Sequence, residues 1–233
     1  MTDTARITFM HDFGCGDRPA YRFTNPDGSV GGVVADTATI GPRAKIGPRA
    51  TIGPYATIGP RATIGPRATI GPRATIGPRA TIGPRATIGD GATIGDGATI
   101  GPDAKIGDGA TIGPYAKIGP RATIGPYATI GDGATIGDGA TIGSGDWWLS
   151  IGPQGSRGAM LTVVQSNAGL RWWVGCQHGI STETLWDRVA KDHRGTRHET
   201  DYMAVINFVE NHPSRLAWVA NATAASPKQE GNQ

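Results

Sequence analysis

The chain has 233 residues, with 37 Gly, 17 Pro, 18% charged residues and a formal net charge of +3. No apolar run is long enough to cross a bilayer as a helix, and the opening M-T-D-T-A-R lacks the basic and apolar regions of a secretion signal. The two cysteines, Cys15 and Cys176, are too few for a disulfide framework, so a reducing, cytoplasmic setting is the expectation.

Residues 1–33 are ordinary, non-repetitive sequence. Ile7, Phe9 and Phe13 alternate with more polar positions, which suits a β segment capping whatever follows. In the same stretch, F-M-H-D-F-G-C-G-D-R groups His11, Asp12, Cys15 and Asp17 among glycines. Those residue types would suit a metal or a nucleophile, but no base-orienting partner is visible, and a β cap is the reading adopted.

From Ile40 to Ile142 an isoleucine recurs every six residues in the frame I-G-[PDS]-[RYGD]-[AD]-[TKW], mostly IGPRAT or IGDGAT. Val34 opens the array with a degenerate copy, VADTAT, so the repeat occupies residues 34–146. In A-T-I-G, alternation puts Ala and Ile on one face and Thr on the other, as a short half-buried strand requires. G-P-R and G-D-G are turn punctuation: Pro presets φ at the first corner position and Gly tolerates a positive φ at the second. Six residues per side are too few for the chain to fold back on itself. Several sides must close a coil, and stacking identical coils places Ile on Ile at about 4.8 Å spacing, so every Ile is expected inside.

This frame resembles the hexapeptide-repeat superfamily, whose coils are triangular prisms of three hexapeptides wound as a left-handed parallel β-helix. The resemblance covers about half the chain. It implies that the first and fifth frame residues (Ile40, Ile46, Ile52; Ala44, Ala50, Ala56) point inward and the sixth outward. Left-handedness also comes from the resemblance, because it runs against the usual hand of parallel crossovers. Eighteen complete repeats make six coils, a prism about 29 Å long. Prisms of this family usually associate as trimers, so a homotrimer is implied.

Stacked at an 18-residue period, the corner position forms three columns. Arg43, Arg61 and Arg79 lie in one; Arg49, Arg67, Arg85 and Arg121 lie in the second, with Asp103 between the last two; Arg73 stands between Tyr55 and Gly91 in the third. Residues 40–88 hold Lys45 and seven Arg with no acid, whereas residues 89–145 hold six Asp against Lys105, Lys117 and Arg121. One end of the prism is basic and the other acidic. Arg49, Arg67 and Arg85, with Arg43, Arg61 and Arg79, are therefore candidates to line an anion-binding edge, since a phosphate or carboxylate between guanidinium groups relieves their mutual repulsion. The competing reading is duplication of one IGPRAT unit, each copy carrying an idle, solvated Arg.

The outward file Thr39, Thr57, Thr75, Thr93, Thr111, Thr129 resembles one rank of an ice-binding solenoid, but such faces use T-x-T and here Gly follows Ile. Thr is also simply a good exposed strand residue. Many members of the superfamily are acyltransferases in which a coil histidine acts as general base, often beside a loop, at a site between subunits. A related group of zinc hydratases uses β-helix histidines too. This array has neither histidine nor loop: His11, His178, His193, His198 and His212 all lie in the flanks.

Residues 147–220 read as a small α+β module. W-W-L-S-I, A-M-L-T-V-V and L-R-W-W-V are strand-like runs, Ser181 or Thr182 caps a helix to about Lys191, and a second helix spans roughly Glu199 to Asn211 until Pro213 stops it. Residues 221–233 are small and polar and are expected to be a disordered tail. Cys176 and His178, then His193 and His198, are two ligand pairs that could hold zinc, although C-x-H is not a standard spacing. Satisfied polar residues around a helix turn are the alternative. G-S-R, L-T, G-C and H-x4-H-x2-D-Y also resemble scattered positions of a module in phage and prophage proteins.

The sequence therefore leads to an all-β solenoid with a C-terminal α+β module. The leading functional expectation is a non-catalytic scaffold of phage type, cytoplasmic or virion-associated, with no cofactor and an Arg edge for an anionic small molecule or polyanion. The alternatives are an acyltransferase whose site lies in the flanks and a nucleotide-sequestering protein.

Overall fold

The computed structural model describes residues 8–154, 159–174 and 177–225. The chain divides into two compact units, Met1–Ser144 and Gly145–Gln233.

The first unit is a left-handed parallel β-helix of about six coils. Eighteen two-residue strands, β4 (Thr39–Ile40) to β21 (Thr141–Ile142), follow three longer ones, β1 (Thr8–Asp12), β2 (Asp17–Thr24) and β3 (Val30–Ala35). Strands 18 residues apart pair in parallel and in register, Thr57 on Thr75 and Ile58 on Ile76, so the prism has three sheets. Coil is tied to coil by bonds such as Thr57 N to Ala74 O (2.9 Å) and Gly59 N to Ile76 O (2.7 Å).

The core is the predicted one: every Ile from Ile46 to Ile142 is at most 2% exposed, and each such burial stabilises by roughly 1.5–3 kcal/mol. Ile40 departs from the expectation. It is only half-buried, on β4, the first strand of its sheet. The glycines that follow Ile from Gly41 to Gly119 are also explained by stacking. A Cβ at Gly59 would stand 2.5 Å from Pro78 N and 2.7 Å from Gly77 C, so no side chain fits between coils there.

The N-terminal strands form an antiparallel meander whose third member, β3, joins one face of the prism in parallel with β6 (Thr51–Ile52), Val34 against Ile52. Val30–Ala35, rather than the Phe9 and Phe13 segment, makes the junction, and Phe9 remains 37% exposed because β1 pairs only with β2 at the outer edge. The edge of a second face is closed by one buried side chain: Asn25 Oδ1 accepts from Ile46 N (2.8 Å) and Asn25 Nδ2 donates to Ile46 O (3.1 Å). One amide thus replaces a missing strand partner.

The second unit is a four-stranded antiparallel sheet, β22 (Trp147–Gln154), β23 (Ala159–Ser166), β24 (Gly169–Val174) and β25 (Gln177–Ile180), with helices α1 (Thr182–Asp192), α2 (Arg197–Glu210) and α3 (Pro213–Ala225). Leu161, Val163 and Trp172 of the sheet pack with Leu185 and Val189 of α1 and Tyr202, Ile206 and Val209 of α2. Ser181 caps α1 as expected, its Oγ accepting from Thr184 N (3.2 Å). Three features differ from the sequence reading. The β25 strand was not anticipated; α2 starts at Arg197 because Thr196 caps it; and Pro213, instead of only ending a helix, occupies the first turn of α3, where a missing N–H costs nothing. Residues 221–225, expected in a tail, continue α3.

Candidate functional site

The site is built from the corner turns. In Gly59-Pro60-Arg61-Ala62 the Ala62 N–H donates to Gly59 O (3.2 Å), closing a four-residue turn of type II pattern: Pro second and a positive φ third. Arg61 therefore has φ 60°, and the same backbone recurs at Arg43 (61°), Arg49 (62°), Arg67 (61°), Arg73 (57°), Arg79 (58°) and Arg85 (59°). In this left-handed region an L-residue brings its Cβ close to the following carbonyl oxygen, at a cost of roughly 1–2 kcal/mol each. Each corner is locked to the one before it, Arg61 N to Pro42 O and Arg79 N to Pro60 O, both 3.0 Å.

Locking stacks the side chains into the three columns. In column one, Arg43, Arg61 and Arg79 alternate with Pro42, Pro60 and Pro78 to line an open groove of about 570 Å³. Among the described residues no acid pairs with these three guanidinium groups. They are exposed cations at single-strand spacing, about 4.8 Å, on a rigid rod.

Column two was an equal candidate in sequence, but the structure separates it. Arg85 Nε and Nη2 donate to the two carboxylate oxygens of Asp103, each at 2.6 Å. That bidentate grip, with Arg121 adding its charge, holds the Asp103 carboxyl below the ordinary carboxylate value. Arg85 is thereby occupied, whereas Arg49, Arg67 and Arg121 of the column have no such bidentate partner among the described residues.

The acidic half has its own logic. Where Asp90 replaces Pro at the first corner position it gains a backbone N–H, and Asp108 Oδ1 of the next coil accepts it at 2.9 Å. Burial, followed by the Asp108 charge, pushes the Asp90 carboxyl up, with Arg73 opposing.

Two tyrosines of the ladder fold back over glycine. A Cβ built on Gly97 would lie 2.9 Å from Cδ1 and Cε1 of Tyr115, and Gly109 stands in the same relation to the Tyr127 ring. Neither tyrosine is placed among the columns from sequence, and a six-residue period carries no sign of which way the rings lean.

The His193 and His198 rings are 5.7 Å apart, and His193 stacks on Tyr202 with centroids 5.6 Å apart. His178 is on β25 and Cys176 lies outside the described residues. Among the described residues no group of three or more His, Cys, Asp or Glu is disposed to hold a metal ion. In the N-terminal cluster Asp12 Oδ1 accepts from Gly14 N (2.8 Å) and Gly16 N (3.2 Å), which gives that aspartate a turn-holding role, and Cys15 is exposed. No described helix is long and apolar enough to cross a membrane.

Residues 31–66, 56–90, 85–120 and 115–145 match the family described as bacterial transferase hexapeptide (six repeats). Comparison with curated proteins finds no match. Among solved structures, the chain is similar to a GDP-perosamine N-acetyltransferase from Caulobacter crescentus solved with coenzyme A and GDP-perosamine, at 22% identity over 44% of this chain and 48% of that one (TM-score 0.42). It is also similar to an acetyltransferase domain from Neisseria gonorrhoeae solved with acetyl coenzyme A, at 22% identity over 46% and 51% (TM-score 0.36). A UDP-N-acetylglucosamine acyltransferase from Bacteroides fragilis is 14% identical over 76% of this chain and 94% of that one (TM-score 0.35). The chain spans about half the length of the first two of these proteins.

Proposed function

We propose, because the repeat array of residues 31–145 is a member of the hexapeptide-repeat superfamily, that this chain is a transferase-class prism that holds a phosphate-bearing acyl donor along Arg43, Arg61 and Arg79. The observation that carries the reading is the column-one groove: three guanidinium groups on one edge, without an acid partner among the described residues, on backbone fixed at positive φ. Guanidinium groups match phosphate oxygens bidentately, and a rigid ladder loses little freedom on binding. In acyl transfer the acceptor oxygen or nitrogen would attack the thioester carbonyl, the carbon–sulfur bond would break, and the acceptor's proton would pass to a base. Residues 34–146 contain no histidine, so that base is either a histidine of the flanks or another residue type, such as a coil aspartate.

The same absence supports a second reading, a non-catalytic scaffold that presents the Arg edge to an anion. The ladder serves either. One experiment divides them: titration calorimetry with acetyl coenzyme A, together with an assay for free thiol release in the presence of amine and hydroxyl acceptors. The transferase reading expects binding that is lost in an Arg43→Gly/Arg61→Gly/Arg79→Gly variant, with thiol release in the wild type. Binding without thiol release favours the scaffold. No binding of acetyl coenzyme A, or binding that the triple variant keeps, overturns the proposal. A homotrimer belongs to this proposal as the assembly usual for such prisms.

A further inference from the structure

Column one differs from column two above its third arginine. In column two the next corner is Asp103, whose carboxylate fills the Arg85 fork. The molecule thus shows on its own surface how an anion seats on this ladder. In column one the next corner is Gly97, which offers no side chain to Arg79, and the corner after that is Tyr115. Tyr115 is 67% exposed, and its ring leans back to lie beside Gly97, at the level of the coil adjoining that of Arg79, about 4.8 Å along the axis. Gly97 is doubly fixed: φ is 64°, and any Cβ would meet the ring. Along one edge the order is therefore cation, cation, cation, exposed aromatic face.

We propose that column one recognises a nucleoside polyphosphate, with its phosphates on Arg43, Arg61 and Arg79 and its base against the Tyr115 ring. The proposal rests on the reading that this groove is the anion site, and it names the class of ligand. Three guanidinium groups at single-strand spacing span about 10 Å, long enough for a short phosphate chain. An exposed ring at one end of such a chain supplies the stacking partner that a base uses irrespective of sequence. A single ring at the end of the row suits one base rather than a nucleic-acid strand, which would need a ring at each step. Column three provides an internal contrast: Tyr127 leans over Gly109 in the same way, but two glycines, Gly91 and Gly109, separate it from the single Arg73.

The test compares ATP with inorganic tripolyphosphate by titration calorimetry on the full chain, as wild type, Tyr115→Ala, Tyr115→Phe and Tyr127→Ala. The expected result is that ATP binds about tenfold more tightly than tripolyphosphate, that Tyr115→Ala removes this advantage while leaving tripolyphosphate unchanged, and that Tyr115→Phe and Tyr127→Ala retain it. Equal affinity for the two probes, or an ATP advantage that survives Tyr115→Ala, overturns the nucleotide assignment but leaves the anion site standing. Failure of both probes to bind overturns the anion site as well. Circular dichroism melting of each variant separates lost binding from lost fold.

Discussion

Replacing Arg43, Arg61 and Arg79 together by glycine should make the protein more stable while abolishing anion binding at that edge. The three residues sit at φ 61°, 60° and 58°. Relieving the left-handed strain contributes roughly 1–2 kcal/mol per site. Glycine's greater freedom in the unfolded chain takes back about 0.5–1 kcal/mol. The net is about 0–1.5 kcal/mol per site, centred on a gain of about 2 kcal/mol for the three, and removing three like charges from one edge acts in the same direction. The assay is guanidinium chloride unfolding followed by circular dichroism, at fixed salt, with midpoint and slope both recorded because stacked repeats need not unfold in one step. A companion triple alanine variant removes the guanidinium groups and their stems but keeps a Cβ at the positive φ. It should fall below the glycine variant by about 2 kcal/mol. If the glycine variant is instead less stable than wild type, or no more stable than the alanine variant, the corners are not strained in the way argued.

Asp103→Asn should remove an acid-sensitive part of the stability. The Asp103 carboxyl lies below its ordinary value chiefly because Arg85 donates to it, so its contribution is present above the unfolded carboxylate value and is lost as pH falls through the folded one. Unfolding midpoints of wild type and Asp103→Asn should differ at neutral pH and converge in acid, and parallel curves would refute the assignment. Asn25→Ala leaves Ile46 N and Ile46 O without their buried partner and should cost about 1–3 kcal/mol, with faster amide exchange at Ile46 than at Ile64. Unchanged exchange at Ile46 would show that the edge is closed some other way. Sedimentation should give three times the chain mass, and a clean monomer would remove the trimer from the proposal.

Much of the fold was legible because its signals are local. A six-residue period with Ile first and Ala fifth fixes which side chains face inward, and Pro followed by Arg or Gly fixes the turn. The 18-residue stacking of Arg43 on Arg61 on Arg79 followed from the same period, while the cap at Ser181 and the apolar stripes of α1 and α2 followed from capping chemistry and helical spacing. What the period cannot carry is the direction of a long side chain once it leaves the corner. Arg85 and Arg79 occupy equivalent turns, yet one is gripped by Asp103 and the other faces Gly97, and Tyr115 leans toward that glycine. The period puts Asp103 between Arg85 and Arg121, but that its carboxylate closes on the Arg85 fork is decided by side-chain packing between coils. The Asn25 plug spans 21 residues between non-repetitive and repetitive sequence, and the α3 start at Pro213 turns on how the chain continues past a residue that reads locally as a stop. Local chemistry and period determined the prism; only through-space pairing between coils decided which of its arginines is left open to a ligand.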